Sequence, residues 1–165
     1  MTAYIGVGSN IRPEYHIRET LKHLAGRGFR ITGISTHYRT EPAGERDAPL
    51  YINGVWKIES DCPGPEDLNR RLKDTEAFFG RERGTDPHAP RPIDLDILLF
   101  ENREVLHRDI FTRNFVYLPL LELEPDLVLP DGTLLRQRVD REDMSGISPL
   151  NEYTNKLRRT IYGQG

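Results

Sequence analysis

The chain has 165 residues, with 23 Lys and Arg against 26 Asp and Glu, and is 36% hydrophobic and 30% charged. This length and balance predict a single domain over residues 1–165, with a core that needs neither disulfides nor a structural metal. The formal charge of −3 argues against nucleic acid as a partner held by bulk electrostatics. An anionic ligand would need a focused site.

Three features predict a cytoplasmic protein. The single cysteine, Cys62, cannot form an intrachain disulfide, and no neighbouring basic group activates it as a nucleophile. The residues before Asn10 lack the positive and apolar regions of a signal peptide. No apolar run reaches the roughly 18 residues that a membrane-spanning helix needs.

The first third of the chain predicts three strands and a helix. Ala3–Gly8 has the composition of a strand and ends at a Gly-Ser-Asn turn, and Pro13–Leu24 has the pattern of a helix with proline in its first turn. Arg30–Arg39 and Leu50–Glu59 are rich in β-branched and aromatic residues, which predicts two further strands joined by a long loop.

A second helix and a fourth strand follow. Pro65–Gly80 has helical apolar spacing, and Arg91–Phe100 predicts a strand after the Gly/Pro-rich loop Gly84–Pro90. The order βαββαβ predicts an α+β, ferredoxin-like sandwich, with helices packed on an antiparallel sheet. A doubly wound parallel sheet fits less well, because the second and third strands follow each other directly.

The C-terminal part is expected to add a helix, a hairpin and a tail. Phe115–Leu123 predicts a third helix, and Pro130-Asp131-Gly132 between apolar runs predicts a β-hairpin turn. From Val139 the chain is polar and is expected to be loosely attached, up to a short helix near Asn151–Thr160.

The strand Arg91–Phe100 carries two carboxylates at alternate positions. Asp94 and Asp96 share one face of a strand, with Cα atoms roughly 6.5–7 Å apart. The apolar residues beside them point the other way: Leu95, Ile97 and Leu99. The repulsion between the two carboxylates is expected to be compensated by a cation, either Arg91 or a hard divalent metal such as Mg²⁺. The alternative is an exposed strand end whose charges are balanced by arginine.

Arginines near this strand suggest a phosphate site. Arg81 and Arg83 leave the end of the second helix and can approach Arg91, and guanidinium groups match phosphate oxygens. A solvated basic helix end is the alternative. No P-loop motif is present, and the Gly-rich segment 6–11 lacks the third glycine of a dinucleotide fingerprint, so it is interpreted as a turn.

Two side chains on the third strand could recognise a flat heterocycle. Tyr51 and Asn53 share one face and supply a ring for stacking and an amide that both donates and accepts, whereas Trp56 falls on the opposite face. An ordinary core tyrosine and a structural asparagine are the alternative.

Together these segments resemble the 6-hydroxymethyl-7,8-dihydropterin pyrophosphokinases of folate biosynthesis over nearly the whole chain. The matching motifs include Tyr4–Asn10, Tyr38–Pro42, Tyr51-Ile52-Asn53, Arg113-Asn114-Phe115, Pro119-Leu120 and Leu129–Gly132. The most specific is Pro90-Arg91-Pro92-Ile93-Asp94-Leu95-Asp96-Ile97. The resemblance implies transfer of pyrophosphate from the co-substrate ATP to the pterin hydroxymethyl group, with AMP leaving. The chain is expected to act as a monomer.

The resemblance also implies roles for individual residues. Asp94 and Asp96 correspond to ligands of two Mg²⁺ ions that bridge the ATP phosphates. The residues expected around the pterin are Thr40, Pro42, Ala43, Tyr51, Asn53 and Phe115. Those expected to bind ATP are Arg81, Arg83, Arg91, His107 and Arg113. A direct part in catalysis is implied for Arg81, Arg91 and Asp96.

Three departures from the family pattern bear on activity. The connection from Phe100 to His107 is several residues shorter than usual, and Leu106 stands where proline is common. Pro87-His88 occupies the place of an Arg-Trp pair in a mobile loop, and Glu41 stands where a proline is frequent. A non-catalytic pterin- or nucleotide-binding paralogue is therefore the main alternative. A single-stranded RNA binder of the same fold is disfavoured by the negative charge.

Overall fold

The computed structural model describes residues 1–41, 50–80, 92–101, 104–105 and 107–163. The strands within these ranges are β1 (Thr2–Ser9), β2 (Arg30–Ile34), β3 (Tyr38–Thr40), β4 (Tyr51–Glu59), β5 (Asp94–Phe100), β6 (Glu104–Val105) and β7 (Ile147–Pro149). The helices are α1 (Pro13–Ala25), α2 (Pro65–Phe78), α3 (Asp109–Thr112), α4 (Asn114–Leu123) and α5 (Asn151–Tyr162), with a 3₁₀ turn at Leu135–Gln137.

All of these strands join one antiparallel sheet. The spatial order is β6-β5-β1-β4-β3-β7, and β2 also pairs with β4. Near the centre, β1 pairs along its whole length with β4, from Thr2 opposite Glu59 to Ser9 opposite Ile52. The mixed helices and antiparallel sheet confirm the predicted α+β class.

Helices α1, α2 and α5 cover what we call the first face of the sheet. Ile17 and Leu21 of α1 and Leu68 and Leu72 of α2 are fully buried, at helical spacings of four residues, against the sheet side chains of this face, which include Trp56. An apolar stripe of this kind is what holds a short helix on a sheet. No described helix is long and apolar enough to cross a membrane.

The second face carries a separate and smaller core. Tyr4, Val55 and Leu98 of the sheet pack with Val116 and Leu120 of α4 and with residues of α3 and the following turn. Both clusters are apolar, but among residues with a described position the second occupies only part of its face. On the same face, the neighbouring positions on the Asn53 side of Val55 carry the polar residues of the candidate site.

Strand β5 contains an irregularity that the sequence pattern did not predict. Its pairing with β1 shifts between Tyr4 and Ile5, so one extra residue of β5 is accommodated there. In consequence Leu98 and Leu99 both belong to the second core, while Leu95 and Ile97 belong to the first. The expectation that Leu99 would lie on the same face as Leu95 and Ile97 was wrong, because the bulge reverses the alternation of side chains along β5.

The strand predicted over Arg30–Arg39 is divided in two. Between β2 and β3 the Thr36 hydroxyl donates to the Glu122 carboxylate at 2.6 Å, and the Thr36 N–H donates to the same group. Ser35 still contacts β4, because the Val55 N–H donates to its Oγ at 2.9 Å. Side-chain acceptors thus replace the regular ladder at this point.

The C-terminal part differs most from expectation. The turn at Pro130-Asp131-Gly132 forms, with Gly132 at a φ of 86°, but its flanks make only an isolated bridge between Val128 and Leu134. Residues after Val139 are not loosely attached. They supply β7, which pairs with β3, and α5, whose Leu157 is buried against the first face.

Candidate active site

The two aspartates of β5 lie side by side on the second face. Asp94 is opposite Gly8 and Asp96 is opposite Gly6 in the β1–β5 pairing. Both carboxylates belong to partly buried residues, and the intervening Leu95 is fully buried on the first face. The alternation predicted from the sequence therefore holds at this end of β5.

Among the described residues, the site brings carboxylates close together. Burial and the neighbouring Asp94 carboxylate raise the pKa of Asp96, while Lys73 and His107 act in the opposite direction. A carboxylate whose ionisation is opposed by burial and by a neighbouring carboxylate is suited to binding a divalent cation. Among the described residues no group of three His, Cys, Asp or Glu could hold a metal, so this pair would leave most of the coordination shell to water or substrate. Mg²⁺ typically has such a coordination shell, with few protein ligands and several from water or substrate.

Helix α2 fixes the outer edge of β5 between the two aspartates. The Leu95 N–H donates to Glu76 Oε2 at 2.8 Å, and Lys73 Nζ donates to the Leu95 carbonyl at 3.3 Å. Lys73 and Glu76 also form an ion pair of 3.1 Å. The sequence analysis missed both residues. A signal was present, because Glu76 continues the buried stripe of Leu68 and Leu72 at the same spacing.

Glycines of β1, which we call the glycine floor, lie between the two aspartates of β5 and Asn53 of β4. Gly8 pairs with Asp94 on one side and with Asn53 on the other, so all three positions share the second face. A Cβ at Gly8 would lie 2.6 Å from Asn53 Oδ1. With strands spaced by about 4.8 Å, the backbones of Asp94 and Asn53 are roughly 10 Å apart, with no side chain on Gly8 between them.

Three residues expected around the pterin lie together. Thr40 of β3 is the cross-strand partner of Tyr51 of β4, and the Asn53 Nδ2 donates to Thr40 Oγ1 at 2.9 Å. Phe115 is the second residue of α4 and packs partly buried against the second core. Pro42 and Ala43 lie outside the described residues.

The expected phosphate-binding residues are only partly described. Arg81, Arg83 and Arg91 lie outside the described residues. Arg113 is exposed and immediately precedes α4. His107 is partly exposed and close enough to lower the pKa of Asp96. Its Nδ1 accepts the Asp109 N–H at 3.2 Å, which leaves Nε2 to carry the proton of a neutral ring.

The shortened connection before His107 contains a small hairpin. Phe100 pairs with Glu104, and Leu99 pairs with Val105. Glu101 takes a φ of 61° at the end of β5, an uncommon conformation for a residue with a side chain, and one that suits a tight turn.

The acidic pair and the Asn53 amide lie on opposite sides of Gly8, an arrangement suited to a ligand with an anionic part and a flat polar part. Comparisons with known proteins identify the family. The sequence model of the family described as 7,8-dihydro-6-hydroxymethylpterin-pyrophosphokinase matches residues 4–125.

Named relatives cover most of the chain. The 2-amino-4-hydroxy-6-hydroxymethyldihydropteridine pyrophosphokinase of Methylorubrum extorquens is 35% identical over 88% of this chain and 96% of its own length. The protein of the same name from Haemophilus influenzae is 34% identical over 84% and 91%. The folic acid synthesis protein fol1 of Schizosaccharomyces pombe is 37% identical over 93% of this chain, which spans only 22% of that protein.

The chain belongs to the 6-hydroxymethyl-7,8-dihydropterin pyrophosphokinase family, enzymes of folate synthesis. The reaction of this family is the transfer of a pyrophosphoryl group from ATP to the hydroxymethyldihydropterin. The family resemblance expected from the sequence motifs is confirmed.

Proposed function

We propose that this chain carries out the family reaction on the second face of its sheet, with the pterin near Asn53 and the ATP phosphates near Asp94 and Asp96. The observation that carries the proposal is the row Asp94–Gly8–Asn53. It places an acidic pair and a hydrogen-bonding amide on one face, separated by a residue without a side chain.

The pterin would lie between Tyr51 and Phe115, with its polar edge on Asn53. Flat rings of this kind stack favourably on aromatic side chains. The Asn53 Nδ2 is already directed at Thr40, so the bond to Thr40 fixes the orientation of the amide before a ligand arrives. Pro42 and Ala43 would complete the pocket. Asn53 Oδ1 lies over Gly8, beside the path to the phosphates.

Asp94 and Asp96 would hold two Mg²⁺ ions, a role that the repulsion between them and the burial of Asp96 support. When bound, Mg²⁺ neutralises phosphate charge and aligns the reacting groups. The residues proposed to share that work through their positive charge are Arg81, Arg83, Arg91 and Arg113. His107 is proposed to contact ATP as a hydrogen-bond donor through Nε2.

The proposed chemistry is in-line displacement. The hydroxymethyl oxygen of the pterin attacks the β-phosphorus of ATP, the bond from that phosphorus to the α–β bridging oxygen breaks, and AMP leaves. We assign Arg81 and Arg91 to stabilising the charge that develops. Asp96 could accept the hydroxyl proton, but a carboxylate engaged with a cation is a weak base, so positioning and electrostatics would supply most of the rate.

We also interpret the sheet as ferredoxin-like and residues 1–165 as one monomeric pyrophosphokinase domain of the cytoplasm. The neighbours β5, β1 and β4, with β2 and β3 beyond β4, support the ferredoxin-like order. The C-terminal elements would then be additions to that core. Size-exclusion chromatography with light scattering would test the monomer, and a dimer mass would contradict it.

The test of function is AMP release from ATP and Mg²⁺ with and without 6-hydroxymethyl-7,8-dihydropterin. Pterin-dependent AMP is the expected result, and it would show that the short connection between Phe100 and His107 supports turnover. Binding of both ligands without AMP would favour a non-catalytic paralogue instead.

A further inference from the structure

The C-terminal segment 140–149, which we call the C-terminal brace, connects the two sides of the proposed pterin pocket. It lies outside the part of the chain that matches the family, residues 4–125. At one end it contacts the start of α4, and at the other it contacts β3. The inference drawn from it rests on the proposed pterin site.

The first connection is made by Asn114, the first residue of α4 and the neighbour of Phe115. Its Nδ2 donates to two carbonyl oxygens of the brace, that of Asp143 at 3.1 Å and that of Ser145 at 2.9 Å. One turn along the helix, the Tyr117 hydroxyl donates to the Asp140 carbonyl at 2.9 Å. Two side chains of the N-terminal part of α4 thus bind the brace directly.

The second connection is made by backbone pairing to β3. The Glu41 N–H donates to the Gly146 carbonyl at 3.0 Å, and Ile147 then pairs with Thr40. Thr40 in turn accepts the amide of Asn53. A continuous set of hydrogen bonds therefore runs from the residue beside Phe115 to the amide proposed to recognise the pterin.

The brace is stiffened internally. Asp143 accepts the Ser145 N–H at 3.0 Å and also the Ser145 hydroxyl, and Asp140 accepts the Glu142 N–H at 3.0 Å. Such local turns reduce the freedom of a connecting segment. A stiff connection can transmit a fixed separation between two elements, which a flexible one cannot.

We propose that the C-terminal brace holds α4 and β3 at the separation that the pterin requires, and that Asn114 is the positioning residue that fastens it. Asn114 has no assigned part in binding or chemistry. Its effect would reach the pterin through the brace and through the placement of Phe115 relative to Asn53. The phosphate end of the site, at Asp94 and Asp96, lies on the other side of β1 and does not depend on this connection.

The test compares Asn114→Ala and Asn114→Asp with the unaltered protein. Pterin Kd is measured calorimetrically with a non-hydrolysable ATP analogue present, the Kd of that analogue is measured alone, and kcat and KM are measured separately. Each Asn114 variant is expected to raise the pterin Kd and KM about tenfold, the size of one net hydrogen bond. The analogue Kd and kcat should stay within about twofold.

Asn114→Asp separates positioning from stability. A carboxylate cannot donate to the two carbonyl oxygens, but at the first residue of a helix it interacts favourably with the helix dipole. We therefore expect Asn114→Asp to retain the Tm better than Asn114→Ala while weakening pterin binding as much. Asn151→Ala is the matched control, because Asn151 is the exposed first residue of α5. It should leave both affinities unchanged.

Phe115→Ala distinguishes failure of the brace from failure of the pocket. If it weakens pterin binding and the Asn114 variants do not, the brace is overturned and the pocket stands. If Phe115→Ala has no effect on pterin binding, the pocket and the brace are both overturned. Equal weakening of pterin and ATP analogue in the Asn114 variants, in step with a lower Tm, would show a merely structural role and overturn the proposal.

Discussion

The first face of the sheet is packed against α1, α2 and α5, whereas in the described part of the chain the second is packed against α3 and α4 over only part of its area. On the first face Ile5, Trp56 and Ile58 are fully buried among apolar helix residues. On the second face the positions beyond Val55 and Leu98 are glycines, an asparagine and two aspartates. One sheet thus separates an apolar face that stabilises the fold from a face with the polar side chains of the proposed site.

This difference explains how the same strands serve both purposes. Alternation along β5 directs Leu95 to the first face and Asp94 and Asp96 to the second, so the burial that fixes the strand also fixes the acidic pair. Substitutions on the two faces should therefore give separable results. Those on the second face should alter turnover or binding, and those on the first should alter the free energy of unfolding.

Replacing a carboxylate of the second face should have the largest effect. Asp96→Ala is expected to lower kcat/KM about 10³-fold, because it removes the charge proposed to hold the metal at the phosphates. The Tm should not fall, since Asp96 is a repelled carboxylate rather than a packed core residue. The AMP-release assay would measure the loss of activity, and thermal unfolding followed by circular dichroism would measure the Tm. Asp126→Ala, at an exposed carboxylate, is the control. Activity close to normal in Asp96→Ala would contradict the metal assignment.

On the first face, the largest expected effect is a pH dependence of the free energy of unfolding that arises from His37. This residue is fully buried, and burial lowers the pKa of its imidazole to about 4. Nδ1 lies 2.9 Å from the Ser35 carbonyl and accordingly donates, and Nε2 accepts the Trp56 Nε1–H at 3.2 Å. A proton on Nε2 would oppose the indole donor. The neutral ring is therefore part of the packed structure.

The direction of the effect follows from the two pKa values. Between about pH 4 and pH 6.5 the unfolded chain binds a proton at His37 that the folded chain does not. Stability is complete above this window and falls within it as the pH is lowered, by up to about 3 kcal/mol. Urea unfolding at pH 7.5 and pH 5 would measure this. In His37→Gln the loss between the two pH values should be smaller, and an equal loss in both proteins would refute the assignment.

Sequence periodicity was sufficient for the elements that contact the core directly. The spacing of Leu68 and Leu72 predicted α2, and the alternation around Asp94 and Asp96 predicted a shared face, because burial acts on those side chains themselves. Other features depend on distant partners. The bulge that reverses Leu98 and Leu99 depends on how β1 and β5 come into register, which periodicity in one segment does not encode.

The polar C-terminal segment shows the same limit. Its composition predicted loose attachment, but its attachment uses backbone groups, which every sequence carries, and the amide of Asn114, which lies 29 residues before Asp143. Glu76 is an intermediate case. A carboxylate on an apolar stripe signals a buried partner, but the partner is the Leu95 N–H, which no side-chain pattern reveals.

A smaller effect should distinguish two neighbouring glycines of the second face. Gly8→Ala would bring a Cβ to 2.6 Å from Asn53 Oδ1 and force that amide to move, so pterin Kd should rise about tenfold. Gly6→Ala is the matched control on the same strand and face. Its Cβ would meet the nearest Leu98 atom at 3.5 Å, an ordinary contact. Equal pterin affinity in the two variants would show that Asn53 does not orient the ring.

The smallest effect should come from Glu76. This residue belongs to α2, on the first face, and binds the backbone of β5 between the two aspartates of the second face. Glu76→Gln can still accept the Leu95 N–H but loses the charge that attracts Lys73. We expect kcat to fall about fivefold as the aspartates lose a fixed backbone, with pterin Kd unchanged, because Asn53 lies two strands away. Titration with Mg²⁺ should require a higher concentration for half-maximal rate. Glu152→Gln, in the exposed pair with Lys156, removes the same negative charge without touching β5. If both variants behave alike, the Glu76 contact contributes only to stability, and the placement of the acidic pair depends on β1 alone.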